Sequence, residues 1–186
     1  MKSIRKQLGV SLIEVLVTAV ILGVGLLGVA ALQLTSINSN QEGQFRTQAS
    51  AVAEDLQSRI RGSRMALYES NLDSSVFVKN MITAYSDAPY TCGSAPAKKC
   101  VSSSDCSPAE VVTYDKWEMC ELAKAELPEG EVYVRSVAGS VHAQIAVAWT
   151  PTAAREDLGQ KTIVNSACTS VGVSASKDCV ILQVIP

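Results

Sequence analysis

Histidine is almost missing from this chain: among 186 residues, His142 is the only one. None of the six cysteines falls in a C-x-x-C pair, so neither a zinc site nor a thioredoxin-type centre has its ligands. No G-x-S-x-G, H-E-x-x-H, Walker loop or EF-hand loop occurs, which removes the best-marked hydrolase, NTPase and calcium chemistries. Charge is sparse, at 18% of residues with a formal net of −2. Lys98-Lys99 is too small a basic patch for a nucleic-acid partner. Repeats, low-complexity tracts and N-x-S/T sequons are missing too. Only two Phe and two Trp contribute to a hydrophobic content of 47%, with mean hydropathy +0.18. Such a composition folds rather than staying disordered, and this length suits one domain with an appended segment.

The apolar surplus lies near the N-terminus. From Val10 to Leu34, 18 of 25 residues are Ala, Val, Ile or Leu. Between Val15 and Leu32 only Thr18 and three glycines interrupt the run, close to the ~20 residues a bilayer-spanning helix needs. Lys2, Arg5 and Lys6 precede it without an acid, which orients that end to the cytoplasm and the remainder outside. The run is too long for the apolar part of a cleaved secretory signal, and no small-x-small cleavage site follows it. Gly23-Val24-Gly25-Leu26-Leu27-Gly28 spells G-x-G-x-x-G, and Glu42 stands at a tolerable distance for a ribose-binding acid. No second strand leads to that acid, so glycines for close packing of membrane helices explain the pattern better than a nucleotide. One residue is out of place. Glu14 sits inside the run, where insertion of an acid costs ~2.5–3.5 kcal/mol, and no base follows at helical spacing. Either it reaches the headgroups or its partner is a positive charge on another molecule.

Gly9-Val10-Ser11-Leu12-Ile13-Glu14-Val15 resembles the processing site of type IV prepilins and pseudopilins: a short basic leader ending in Gly, then a hydrophobic residue, with Glu as the fifth mature residue. Val10 stands where Phe or Met is more usual. The resemblance implies cleavage after Gly9 by prepilin peptidase, N-methylation of Val10, and pairing of Glu14 with the N-terminal ammonium of a neighbouring subunit. Leu12–Val17 and Gly25–Gln33 further resemble the PilV group of minor pilins, the type IV pilus modification proteins. The implied fold is α+β and type IV pilin-like. A long N-terminal helix, membrane-spanning in its first half, would pack on an antiparallel sheet with a C-terminal disulfide-closed loop. The implied function is that of a structural subunit of the tip complex that primes pilus assembly, supporting adhesion and twitching motility. It would have no enzymatic activity, cofactor, metal or nucleic acid. Its expected partners are other minor pilins, the major pilin, prepilin peptidase, the inner-membrane assembly machinery and a tip adhesin. It would start as a single-pass inner-membrane protein with a periplasmic head and end in the fibre. A type II secretion pseudopilin is the alternative within this class; a signal-anchored periplasmic enzyme or binding domain is the alternative outside it. Loss of the leader would leave 13 basic against 18 acidic residues.

The corresponding organisation is a leader at 1–9, a transmembrane and assembly half-helix at 10–34, an amphipathic half at 35–62, a variable region at 63–130, and sheet with terminal loop at 131–186. Leu34, Ile37, Phe45, Val52, Leu56 and Ile60 form the expected buried stripe, with Asn38, Asn40, Glu42, Gln44, Glu54 and Arg61 opposite. Residues 63–90 read as helical or irregular, with Val76, Phe77, Met81 and Ile82 packing. Residues 91–113 read as a stapled loop, and Asp115 with Glu118 as the capping box of a short helix through Leu127. Period-two patterns predict strands through Val132, Val134 and Val137, through Val141, Ile145, Val147 and Trp149 after a turn at Gly139, and at Val180–Ile185. Arg155–Gly159 reads as a loop and Lys161–Val164 as an edge strand. His142 is expected beside Gln144, Ala146 and Ala148 as an exposed or sheet-packed side chain. The acids Glu118, Glu121, Glu126, Glu129 and Glu131 are expected on a solvated face. Six cysteines allow 15 pairings. Cys168–Cys179 is preferred by likeness to the terminal loop of many pilins, and Cys100–Cys106 and Cys92–Cys120 by proximity in sequence.

Overall fold

The computed structural model describes residues 9, 11–63, 74–101, 105–137, 140–152, 162 and 164–185. Two compact units divide the chain, Met1–Gln41 and Glu42–Pro186. The described elements are helices α1 (Leu12–Gly62), α2 (Ser74–Tyr85) and α3 (Pro108–Glu126), strands β1 (Glu131–Ser136), β2 (Ala143–Trp149) and β3 (Asp178–Val184), and a 3-10 helix at Ser166–Val171. The first unit holds the apolar start of α1, with Leu34 and Ile37 exposed rather than in the expected core stripe.

In the second unit the strands form an antiparallel sheet of order β1-β2-β3. Alternation along β2 sends Ala143, Ile145, Val147 and Trp149 to one face and Ala146 and Ala148 to the other. The first face meets Ala49, Val52, Ala53, Leu56 and Ile60 of α1, a stripe at helical spacing. Phe77, Met81, Ile82 and Tyr85 of α2, with Val112, Met119 and Ala123 of α3, complete that core. The other face is covered by Cys168, Val171 and Val173, with Tyr133 and Cys179. Three disulfides join Cys92 to Cys120, Cys100 to Cys106, and Cys168 to Cys179. This is an α+β, type IV pilin-like architecture, with a long helix on an antiparallel sheet.

Several local expectations need correction. Helix α3 starts at Pro108, not Asp115: the Ser107 side chain accepts from Glu110 N–H, and the Glu110 carboxylate accepts from Ser107 N–H at 2.7 Å. Proline at the first helical position completes the start signal within what reads as a loop. Asp115 lies mid-helix and nearly buried, accepting from Tyr85 Oη at 2.6 Å and Arg59 Nη1 at 3.1 Å. Arg59 also bonds Glu118 and Asp55. Burial opposes the guanidinium's charge, but Glu118, Asp55 and Asp115 outweigh it and raise its pKa. Glu42 leaves the predicted solvent face: its carboxylate accepts from Trp149 Nε1 at 2.8 Å and Thr152 N–H at 3.3 Å. Val76, Val137 and Val141 are exposed, the last two outside the strands. Thr162 and Val164 lie outside any strand, and β3 begins at Asp178. Gly139, Arg155–Gly159, Lys161 and Ile163 lie outside the described residues.

Gly130 is required by the turn that leads into β1, since a Cβ there would stand 2.0 Å from the Ala123 carbonyl oxygen. Leu56 is fully buried under the sheet. Leu56→Ala should therefore cost about 2–5 kcal/mol in denaturant unfolding, while Leu26→Ala, on an exposed residue of the other unit, should leave that transition in place. Burial pushes the Tyr85 and Tyr90 phenols above their ordinary value of 10.0, and the bond to Asp115 adds to the shift at Tyr85. Folded protein holds these protons after unfolded chain has released them. Stability from these groups is thus full below pH 10.0 and declines at higher pH, readable as late, cooperative tyrosinate absorbance on alkaline titration.

Candidate processing and assembly segment

Ser11 opens the first turn of α1, its carbonyl accepting from Glu14 N–H at 3.1 Å and Val15 N–H at 3.3 Å. Glu14 therefore lies within the first turn, where free backbone N–H groups favour a negative charge by roughly 0.3–1 kcal/mol. Its side chain is exposed and has no hydrogen bond or ion pair among the described residues. Around it Leu12, Ile13, Val15, Leu16 and Val17 are exposed as well. Apolar side chains continue outward to Leu34 without a buried one. This helix is long and apolar enough to cross a membrane, and none of its apolar window is buried by the chain itself. A surface of that size in water carries a cost of ~25 cal/mol per Å², so its cover must come from lipid or from other chains.

Gly9 is exposed, and a Cβ placed there meets nothing within 4 Å. Packing within the described residues therefore gives no reason for a glycine there. Gly23, Gly25 and Gly28 are equally open, each a notch on the helix surface where another helix can approach. Val10, the expected methylation position, and Lys6, the nearest preceding base, lie outside the described residues.

The head shows a different kind of chemistry. Glu118 pairs with Arg59; Glu131 accepts from Tyr133 Oη at 2.6 Å and pairs with Lys177 at 2.9 Å. Burial works against the Glu131 charge, but those two bonds hold its pKa below the usual glutamate value. Glu129 accepts from Thr150 and Glu126 from Gln48. These four acids are each tied into the fold, whereas Glu121 is exposed as expected. Among the described residues no group of three metal-binding side chains forms. His142 is half-buried just before β2. Asp178 escaped the sequence reading: it is fully buried and accepts from Arg46 at 2.6 Å, Asn165 N–H at 2.8 Å and Cys179 N–H at 2.9 Å. Arg46 and Asn165 are distant from it in sequence, so no local pattern marks it.

Comparison with known protein families finds the prokaryotic N-terminal methylation motif over residues 4–30. No curated protein and no solved structure matches the chain. The matched stretch contains Gly9, Val10 and Glu14 and the start of the exposed apolar helix. This supports a type IV pilin-like or pseudopilin-type substrate of prepilin peptidase, and the apolar helix fits membrane anchoring. A Cβ at Gly9 meets nothing, so Gly9→Ala should leave the circular dichroism and thermal unfolding of the head unchanged, and loss of processing in that variant would then report on recognition by the peptidase alone. Normal processing of that variant would remove the site from Gly9.

Proposed function

We propose that this protein is a minor pilin of the PilV type, a structural subunit of the complex that primes type IV pilus assembly and occupies its tip. The observation that carries the reading is an apolar helix with no cover of its own, bearing one unpaired acid in its first turn, inside a methylation motif. Prepilin peptidase cuts after Gly9 and methylates the amino group of Val10. Residues 10–34 then serve as the transmembrane and assembly half of the helix, and 35–62 as the half that joins the head. Residues 63–130 form the variable region, and 131–186 the sheet and terminal loop.

In the bilayer Glu14 is a charge without a counter-ion, and in a bundle of like helices the new ammonium of a neighbour supplies one. Removing both charges from solvent is favourable only with close pairing, so the pair fixes the axial register of neighbouring helices. The chain waits in the inner membrane with its head in the periplasm until the assembly machinery extracts it. It then joins other minor pilins, the major pilin and a tip adhesin. The pilus supports adhesion and twitching motility. A type II secretion pseudopilin would share the segment and the fold, and differs in the partners it joins.

Intact-mass measurement of the membrane form tests the first step: the expected chain begins at methylated Val10. Retention of Met1 in cells with active prepilin peptidase would point to a signal-anchored periplasmic protein instead. Glu14→Ala should be processed as wild type yet drop out of sheared fibres; undiminished incorporation removes the ion-pair argument. Co-purification from solubilised membranes separates the remaining readings. Minor pilins in the eluate support the proposal, and secretion-system pseudopilins in their place overturn it.

A further inference from the structure

The three disulfides stand in different surroundings. Cys168 and Cys179 are both buried in the cluster on the second face of the sheet. Cys120 is buried in the main core, and its partner Cys92 packs against the same core. Cys100 and Cys106 belong to neither cluster and are only half-buried. Their immediate neighbours Lys99, Val101, Asp105 and Ser107 are all exposed. Thiol–disulfide exchange needs access to one sulfur and a leaving sulfur that tolerates charge. A thiolate expelled from Cys120, Cys168 or Cys179 would form in an apolar interior, which raises the thiol pKa and slows its departure. One expelled from Cys100 would form near the surface, directly after Lys98 and Lys99, where positive charge favours it. The opposing charges close by are Asp105 and Glu110, and Lys98 already engages Glu110.

The same two ends are tied a second time, without a covalent bond. The Lys98 ammonium donates to the Asp105 carbonyl, next to Cys106, and pairs with Glu110 at 3.5 Å. Glu110 in turn closes the capping box with Ser107, the residue after Cys106. Opening the S–S bond therefore leaves Lys98 and the start of α3 to keep Cys100 and Cys106 near each other. The sequence separation of this pair is 6, against 28 for Cys92–Cys120 and 11 for Cys168–Cys179, so it constrains the unfolded chain least. The head loses least when this bond is the one that opens.

We propose that Cys100–Cys106 is a site of reversible thiol–disulfide exchange, which a dithiol reduces while the head stays folded. A thiolate of the dithiol attacks Cys106 Sγ, forms a mixed disulfide there and expels Cys100 as a thiolate. The second thiol, once deprotonated, attacks the dithiol's own sulfur in that bond, expels the Cys106 thiolate and departs as a cyclic disulfide. Two electrons pass from the dithiol to the cysteine pair, and its two protons end on the two cysteine sulfurs. The ring from Cys100 to Cys106 is then open, while the cap of α3 is retained. This site does not depend on the pilin reading, since an anchored periplasmic domain would carry it equally.

Differential alkylation tests the proposal on the full chain in detergent micelles, with dithiothreitol as the probe. Samples are quenched with iodoacetamide during reduction, and peptide masses report which cysteines carry the label. Cys100 and Cys106 should be labelled together, roughly tenfold or more faster than Cys92, Cys120, Cys168 and Cys179. Far-ultraviolet circular dichroism should not change over that interval. Transfer to oxidised glutathione should restore the pair, and Lys98→Ala should slow this closure severalfold without slowing reduction. Equal labelling of the three pairs, or earlier labelling of either of the others, overturns the proposal. Labelling of Cys100 and Cys106 only as the circular dichroism is lost overturns it too. Closure of Lys98→Ala at the wild-type rate overturns the role given to Lys98.

Discussion

A long apolar helix surface with one carboxylate at its start cannot be satisfied within this chain. Every large hydrophobic side chain from Leu12 to Leu34 is exposed, and no glycine in the stretch is hemmed in by a neighbour. The remainder of the molecule follows from that constraint. A head able to fold under such a segment must own its core, and the second unit does, with buried clusters on both faces of its sheet. Several acids of that head serve its architecture: Glu42, Asp115, Glu118, Glu131 and Asp178 bind a base, an aromatic donor or a backbone donor that fixes one element against another.

Those polar contacts share a pattern. The helix α1 changes along its length from a lipid-like surface to one keyed into the sheet, and the change is marked by Glu42 on Trp149. Arg46 then reaches the buried Asp178 at the start of β3, and Arg59 gathers Asp55, Asp115 and Glu118. Between them Ala49, Val52, Ala53 and Leu56 supply the apolar contact. Burial by itself would let the helix slide, because small and branched side chains pack nearly as well in neighbouring registers. Directional bonds to charged groups, worth about 1.5–3 kcal/mol each, do not tolerate such sliding.

Much of this was legible in the residues. The apolar run, the methylation motif and the long helix followed by strands all depend on local composition and period. What escaped depended on distant partners. Asp115 with Glu118 resembles a capping box, yet Asp115 is nearly buried against Tyr85 and Arg59, whose sequence distance no window covers. The true start at Ser107-Pro108-Ala109-Glu110 was readable, but proline, serine and cysteine nearby gave the stretch the look of a loop. Glu42 reads as a solvent-facing residue by its polarity, because nothing local announces an indole arriving from β2. Ala146 and Ala148 gave no hint that their face is covered, since small residues carry little periodic signal.

The staggered attachment of α1 also has a mechanical meaning. Its contacts at Glu42, Arg46 and Arg59 are made to β2, β3 and α3 in turn, along a helix that runs in the direction of β3. Tension applied along such a helix loads these bonds in shear, so they must give way together instead of opening one after another. Resistance to pulling then depends on the rate of cooperative rupture rather than on equilibrium stability. A head joined in this way can be dragged by its stalk without being unzipped from it.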